Sequence, residues 1–483
     1  MRRVKRAASV LVVLFALTGV SQGGPVTPPA DFPDQPPQAP PLKPSSLPSA
    51  YSQSLDNGLE VVVISNDEIP WVSATWYLLA GAKFDPPDKS GLANTTAQLL
   101  HQGTQKHTAD ELAELLDYYA IKLGGSACQE ATSVSVGSLA KDVDLAVGFL
   151  AEVVRTPVFP EREFKRHVAQ LVNVMKIEEA DGKYWADREF RKRVYGRHYL
   201  GRRSSGTSES MSNLQQQDSV EFHRRHYMPN GSMLIFSGAI EAQAAVKLAQ
   251  KYLGDWQPGQ MPVCEAGPIP ERQATRIYLV DRPDATQSQI RVGQLGFRRT
   301  DPEYVPAQIF NQVFGGSFNS RLNSKVRIEE GLTYGAHGGF TAGKEPGRLA
   351  ARTFTKNEST AEALKAVLSV LESMPTEPPT EEELSDSQSY LTGRFGLSLE
   401  TPQQVAAKVF DLKFYGLPDD YYETYLQEIN RLRASAITSF AQKAVDMSKL
   451  TIVIVGNAAE VRDQLEEIAP VTVVQREGEK SID

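Results

Sequence analysis

Cysteine is almost absent from this sequence, with Cys128 and Cys264 the only two among 483 residues. Two cysteines are too few for a disulfide framework. Because they form no Cys-x-x-Cys motif, they indicate neither redox chemistry nor a thiolate zinc site. We expect two unpaired, buried thiols; a single bridge between them is the alternative.

The sequence also lacks an excess of positive charge and any long apolar segment. Its 51 Lys and Arg residues are outnumbered by 59 Asp and Glu, giving a formal net charge of -8. Nucleic-acid binding therefore has no electrostatic support. No segment approaches the roughly 18 uninterrupted apolar residues of a membrane-spanning helix. We predict no nucleic-acid partner and no membrane span in the mature chain.

The amino terminus is typical of an exported protein. Four Lys and Arg residues precede an apolar run over residues 7–20, and small or polar residues follow. This pattern predicts a secretory signal peptide over residues 1–23, and it implies export to the bacterial periplasm. Ten of the twenty-four residues from 25 to 48 are proline. They predict an extended, disordered tether over residues 24–50.

Beyond the tether the sequence repeats itself. Strand-like segments begin at Glu60 and Arg276, and helix-then-strand segments begin at Phe222 and Phe440. Short aromatic motifs at residues 194 and 414 add a third pair, and the three offsets are 216, 218 and 220. Nearly constant offsets predict two homologous units of about 210 residues each.

The order of elements within a unit indicates the fold class. Strands and helices do not alternate one for one, which favours α+β units, each an antiparallel sheet with helices packed on one side. A Pro- and Gly-rich linker over residues 257–271 separates them. The predicted domains are residues 51–258 and 272–475.

An Ala- and Leu-rich stretch at residues 91–104, GLANTTAQLLHQGT, predicts a buried helix. Asn94, Ala97 and Gln98 share one face of this helix. His and Glu side chains at such a spacing hold zinc in other proteins, but these three side chains bind zinc poorly or not at all.

This frame resembles the first-domain helix of the insulinase/pitrilysin family of zinc peptidases, which includes the mitochondrial processing peptidases. In that family the helix reads His-x-x-Glu-His, where both His bind zinc and the Glu activates a water. The matching positions here are Asn94, Ala97 and Gln98. The third family ligand, a Glu on a later helix, corresponds to Val174. The resemblance therefore implies a vacated zinc site, with no zinc cofactor on this chain.

The second unit, unlike the first, has the family's motif residues at the matching positions. Residues 315–340, GGSFNSRLNSKVRIEEGLTYGAHGGF, are similar to the family segment in which an Arg is followed seven residues later by a Tyr. Those positions are Arg327 and Tyr334, and the resemblance implies that they hold the substrate backbone and stabilise the oxyanion. Locally we predict a helix over residues 319–330, a left-handed Gly331 and a strand over residues 332–340.

Three further patterns bear on a site. His223 and His226, spaced i and i+3, form the best rival metal pair, although no third ligand is near in sequence. Glu178 and Glu179 lie about one turn beyond Val174 and would need a shifted helix to replace it. Residues 124–137 alternate small and polar side chains, and family members bind substrate as an added strand on the corresponding edge.

The asymmetry between the units predicts a function. Small family members work as clam-shell pairs in which one chain brings zinc and the other brings the Arg and Tyr. We therefore predict a non-catalytic subunit of an exported heterodimeric zinc endopeptidase, with a zinc-bearing homologous partner and unfolded peptide substrates. A homodimeric peptide-binding or scaffold protein of the cell envelope is the alternative. A lone metallopeptidase with shifted ligands ranks last.

Overall fold

A computed structural model describes residues 47–475. The predicted signal peptide and most of the predicted tether lie outside the described residues. Residues 47–475 belong to one compact unit. Among them, no helix combines the length and the apolar character that crossing a bilayer requires.

The first half contains six strands and eight helices in the order of the chain. Its strands are β1 (Tyr51–Ser54), β2 (Glu60–Ser65), β3 (Trp71–Leu78), β4 (Lys122–Ala127), β5 (Thr132–Leu139) and β6 (Ser232–Gly238). Its helices are α1 (Leu92–Leu99), α2 (Ala109–Tyr118), α3 (Val143–Arg155), α4 (Glu161–Glu179), α5 (Gly182–Tyr195), α6 (Ser208–Ser212), α7 (Gln216–His226) and α8 (Ala242–Leu253).

The second half repeats this series. Its strands are β7 (Arg276–Asp281), β8 (Gln287–Leu295), β9 (His337–Phe340), β10 (Arg348–Lys356), β11 (Thr451–Gly456) and β12 (Val471–Val474). Its helices are α9 (Tyr304–Asn311), α10 (Arg321–Asn323), α11 (Thr360–Ser373), α12 (Glu381–Leu397), α13 (Pro402–Tyr415), α14 (Tyr421–Arg431), α15 (Ala434–Ala444) and α16 (Ala458–Glu466).

The two sheets have matching strand orders. The first sheet runs β1-β2-β6-β3-β5-β4 and the second runs β12-β7-β11-β8-β10-β9. Five strands correspond one to one, and the outermost strand comes from the start of the described chain in the first half but from its end in the second. The predicted α+β class and the two homologous units are confirmed.

The sheets are mixed, whereas we predicted antiparallel ones. β2 pairs with β6 in parallel, and β7 pairs with both β11 and β12 in parallel. A parallel pair requires a long crossover connection, and most helices of each half lie between its paired strands. The helical excursion between β2 and β6 therefore sets the parallel direction, which strand patterns alone did not reveal.

Helices cover both faces of each sheet, whereas we predicted one covered face. The second layer is contributed by the other half of the chain. α5 of the first half packs through Phe190 and Val194 against β7 and β11 of the second sheet. α13 of the second half packs through Val405 and Val409 against β2 and β6 of the first.

This exchange of helices makes the two halves one unit. Each buried aliphatic or aromatic side chain in these layers contributes about 1.5–3 kcal/mol of burial free energy. The rings of Tyr77 and Phe410 also stack across the halves at 3.9 Å between centroids. Residues 254–275, between α8 and β7, carry no helix or strand. The domain limits at 258 and 272 stay a prediction.

Both cysteines are free thiols, as expected, but they are not fully buried. Cys128 is exposed because it lies in the turn that joins edge strand β4 to β5. Cys264 is half-buried in the connection between the halves, with its Sγ 3.4 Å from the carbonyl oxygen of Lys83. The prediction of buried thiols was wrong for Cys128, since a turn at a sheet edge leaves its side chains in solvent.

Candidate functional site

Helix α1, which carries the three predicted site positions, is held at its start by Asp85. The buried Asp85 carboxylate accepts hydrogen bonds from the backbone N–H groups of Gly91 (2.8 Å) and Ala93 (2.9 Å). Gly91 precedes the helix with a φ of 101°, a left-handed value that favours glycine. Carboxyl oxygens at the helix start satisfy backbone donors that have no partner within the helix. The start of the helix is therefore held by specific hydrogen bonds, although its metal-ligand positions carry no metal-binding side chains.

Asp85 also gives the protein a pH-dependent stability. Burial raises the pKa of this carboxyl to about 7, while the N–H donors of Ala93 and Gly91 oppose the rise. Because the pKa of Asp85 is higher in the folded than in the unfolded protein, binding of its proton stabilises the fold. This contribution is complete below about pH 4 and is lost as the pH rises through about 7. We expect the free energy of unfolding to fall over that range, and Asp85→Asn to flatten the decline. Urea unfolding at several pH values measures it.

Asp88 supplies the control for that experiment, because it is an exposed carboxylate only three residues away. Asp88→Asn should keep the pH slope of the unmodified protein. An Asp85→Asn variant whose slope equals that of Asp88→Asn would contradict the assignment of the slope to Asp85.

Asn94, at the first metal-ligand position, is an internal framework residue. Its Oδ1 accepts a hydrogen bond from the backbone N–H of Ala127, 3.0 Å away at the end of edge strand β4. In the second half Asn311 of α9 accepts from the N–H of Phe340 (2.6 Å) and donates to its carbonyl (2.9 Å). Ala127 is the last residue of edge strand β4, and Phe340 is the last residue of edge strand β9. Asn94 therefore makes a structural hydrogen bond to the edge strand, and Asn311 makes the corresponding bond in the second half.

Ala97, at the position of the catalytic Glu, lies where α1 touches strand β4. Its side chain is fully buried. A Cβ atom at Gly125 of β4 would lie 2.4 Å from the Ala97 carbonyl oxygen. The second half has the same close approach, since a Cβ at Gly315 would lie 2.4 Å from the N of Gly338 in β9. Backbone contact between helix and edge strand is thus a feature of both halves.

Gln98, at the second metal-ligand position, joins α1 to α4. Its Oε1 lies 3.1 Å from Nε2 of His167. Burial, aided by the charges of Arg166 and His101, lowers the pKa of His167. A neutral imidazole that carries its proton on Nε2 donates to the amide oxygen. The Gln98 amide is therefore the hydrogen-bond partner of the His167 Nε2 atom, which is then not free to bind a metal.

The position of the third ligand offers no carboxylate. This position is Val174 of α4, whose side chain is apolar and 49% exposed. Glu178 forms an ion pair with Arg203 at 2.8 Å. Glu179 accepts hydrogen bonds from the backbone N–H (3.0 Å) and the hydroxyl (2.6 Å) of Ser208. The shifted-ligand alternative has no support, because both carboxylates are held by other groups.

His226 is buried and His223 is half-buried, and both rings are engaged by neighbouring groups. A ring nitrogen of His223 donates to the carbonyl of Val154 at 2.8 Å, and burial lowers its pKa to about 4. The His226 ring packs 4.4 Å from the ring of Phe222, and burial lowers its pKa to about 4 as well. Across residues 47–475, no group of three His, Cys, Asp or Glu side chains is placed to hold a metal ion.

Arg327 lies in a π-helical turn, Ser324–Glu329, that follows the short helix α10. The predicted helix over residues 319–330 thus forms only in part and as a wider turn. The Arg327 guanidinium lies 4.9 Å from the centroid of the Phe318 ring. It makes no hydrogen bond or ion pair within the part of the chain that the structure describes. Its donors are therefore open to an external group.

Tyr334 lies in an exposed loop, whereas we predicted a strand. Gly331 ends the preceding turn with a φ of 63°, and the strand begins only at His337. The Thr333 hydroxyl accepts from the N–H of Gly335 at 3.2 Å, and this local turn prevents extended pairing. Tyr334 is 82% exposed, and its ring is 6.5 Å from that of Phe354.

Strand β4 is the edge of the first sheet beside α1. It pairs with β5 on one side, and no strand within residues 47–475 pairs with its other side. Its residues are largely exposed or half-buried until Ala127. An unpaired edge presents main-chain donors and acceptors that an added peptide strand can use.

Comparison with known proteins identifies the fold family. The family model described as "Insulinase (Peptidase family M16)" matches residues 60–203. The model described as "Peptidase M16 inactive domain" matches residues 213–391. The chain belongs to the insulinase-like peptidase family M16. The inactive-domain match, together with Asn94, Ala97 and Gln98 at the motif positions, supports a non-catalytic peptidase-like M16 subunit.

Relatives of this M16 chain are similar to it at low sequence identity. A solved peptidase M16 inactive domain from Pseudomonas fluorescens is 25% identical, with a TM-score of 0.78 over 84% of this chain and 98% of that one. Cytochrome b-c1 complex subunit 1 of Caenorhabditis elegans is 29% identical over 42% of each chain. Mitochondrial-processing peptidase subunit alpha-1 of Dictyostelium discoideum is 22% identical over 42% of this chain and 31% of its own. The match thus spans less than half the length of these two curated relatives.

Proposed function

We propose that this M16 chain is the non-catalytic subunit of an exported heterodimeric zinc endopeptidase. In this proposal a homologous partner chain brings the zinc, and this chain brings Arg327 and Tyr334 to the peptide substrate. The pair acts on unfolded peptides in the bacterial periplasm, after removal of the predicted signal peptide.

The observation that carries this proposal is the free state of the two side chains. Within residues 47–475 Arg327 has no hydrogen-bond or ion-pair partner, and Tyr334 is 82% exposed. A guanidinium presents a planar fork of donors, and a phenol presents a single O–H donor. Donors of this kind stabilise the negative charge that develops on a carbonyl oxygen during attack.

The first half contributes a framework in this proposal. α1 keeps its position against β4 through Asn94 and Gly125, so the edge strand remains available to bind a peptide main chain. Because main-chain pairing depends little on side chains, it suits substrates of varied sequence. The zinc and the attacking water then belong to the partner.

A second candidate function is supported by one of the relatives. Similarity to cytochrome b-c1 complex subunit 1, a protein named as part of a larger complex, favours a scaffold or peptide-binding homodimer of the cell envelope without hydrolysis. Such a protein would need neither Arg327 nor Tyr334 in contact with a reacting group.

Native mass spectrometry with metal analysis separates the two candidates. The heterodimer predicts that the chain mixed with a zinc-bearing M16 homologue forms a one-to-one pair holding one zinc. It also predicts that the chain alone holds none. A stable homodimer that persists in the presence of the homologue would contradict the heterodimer and support the scaffold.

A further inference from the structure

One cavity lies along α5 of the first half, and another lies along the edge strand β9 of the second sheet. The first, of about 350 Å³, is lined by Asp187, Arg191 and Arg203 among others. The second, of about 370 Å³, is lined by Arg348, Arg352 and the edge strand β9. Asp187 joins them, because its carboxylate faces the first cavity and lies 3.9 Å from Nε of Arg352.

Three carboxylates line the first cavity; Asp181 accepts a hydrogen bond from the backbone N–H of Lys183 at 2.9 Å, and the other two pair with cations. Glu178 pairs with Arg203 at 2.8 Å, and Asp187 pairs with Arg291 at 2.7 Å. Neither Arg191 nor Arg348 has a carboxylate partner within residues 47–475. The cavities therefore hold two arginines that form no ion pair with an acidic group of the described chain.

These two guanidinium groups are also short of hydrogen-bond partners. The Nε atoms of Arg191 and Arg348 are both buried with no partner within the described residues. Arg191 donates from Nη1 to the carbonyl of Arg202 at 3.3 Å, and Arg348 lies 5.9 Å from the ring centroid of Tyr195. Burial, with the charges of Arg348 and Arg203, lowers the pKa of Arg191 to about 10.

Two half-buried like charges, each with a buried Nε–H that has no acceptor, destabilise a fold unless something compensates for them. Buried charges in proteins are normally paired, and an unmatched buried donor costs free energy. An anion placed between the two groups would remove both penalties at once. A carboxylate matches the planar fork of arginine and accepts paired hydrogen bonds from it.

We propose that this pair of cavities binds a carboxylate of the peptide substrate, either an acidic side chain or the C-terminal carboxylate. This assignment rests on the proposed peptidase function. Its position supports it, since the second cavity runs along β9, the edge strand of the second sheet, through Gly338 and Gly339. Tyr334 precedes β9 by three residues along the chain, so a peptide held by Tyr334 lies near this edge.

Peptide binding to the heterodimer tests the site. The partner carries a replaced catalytic Glu so that no cleavage occurs, and the probes are fluorescent pools of short unstructured peptides in three matched forms. One pool has Glu and a free C-terminus, one has Gln in place of Glu, and one has an amidated C-terminus. We expect at least one of the two neutralised forms to bind about tenfold more weakly than the parent pool. The weaker form identifies the carboxylate.

Variants of the two arginines locate the effect. Arg191→Gln and Arg348→Gln should remove the preference for the carboxylate, Arg191→Lys should keep part of it, and the surface variant Arg462→Gln should leave it unchanged. The melting temperature of Arg191→Gln without peptide should not fall, because the substitution relieves repulsion between two half-buried like charges. A purely structural Arg191 predicts the opposite: a lower melting temperature and weaker binding of all three pools alike.

The two proposals fail in different ways. Equal binding of the three pools by the unmodified heterodimer would overturn the carboxylate site and leave the peptidase function standing. Loss of binding for every pool would overturn both.

Discussion

Replacing Arg327 with Ala should lower kcat/KM of the reconstituted heterodimer by about a hundredfold or more. Removing one donor that stabilises an oxyanion typically costs about 3–4 kcal/mol of transition-state stabilisation. Because Arg327 makes no hydrogen bond or ion pair within residues 47–475, its loss should disturb neither folding nor the local structure. Hydrolysis of an unstructured fluorogenic peptide by equal amounts of assembled pair measures the effect.

Two further variants sharpen this test. Tyr334→Phe keeps the ring and removes only the hydroxyl, so a drop in kcat assigns the effect to the O–H donor. Arg298→Ala removes an exposed arginine that pairs with Glu345 at 2.7 Å and should change nothing. Full activity of Arg327→Ala in an assembled pair would show that the arginine does not touch the reacting group.

Replacing Gly125 with Ala should lower the free energy of unfolding by about 2–4 kcal/mol. A Cβ at this position would lie 2.4 Å from the Ala97 carbonyl oxygen, so helix α1 and strand β4 must separate. Overpacking of backbone against backbone finds no flexible side chain to give way. Urea unfolding of the single chain measures the loss.

The neighbouring residue provides a matched control in the same strand. A Cβ at Gly124 meets no atom within 4 Å, so Gly124→Ala should change stability by less than about 0.5 kcal/mol. Equal stabilities for the two variants would contradict the close contact between α1 and β4.

The repeat and the fold class could be predicted from the sequence because burial imposes a period on every strand and helix. The segments beginning at Glu60 and Arg276 became the corresponding strands β2 and β7. The exchange of α5 and α13 could not be predicted, since an apolar helix face does not say which sheet it will cover. The parallel pairs were missed for a related reason, because strand direction depends on where the helical excursions lead.

The candidate site, like the fold, could be predicted only in part from the sequence. Motif positions could be assigned from sequence frames, as at Asn94 and Gln98. The partners of those residues could not, because Ala127 and His167 are brought close only by the fold. We predicted a strand for Tyr334 because it follows the helix-ending Gly331, but the Thr333 turn forms a loop instead. The cationic cavities gave no sequence signal, since Arg191 and Arg348 are 157 positions apart.

Peptidase activity of the separated and mixed chains tests the central proposal most directly. The measurement uses this chain alone, a zinc-bearing M16 homologue alone, their mixture, and the mixture with the catalytic Glu of the homologue replaced. The heterodimer predicts chelator-sensitive cleavage in the complete mixture and at most a trace in the other three. Chelator-sensitive cleavage by this chain alone, or a homologue as active alone as in the mixture, would contradict it.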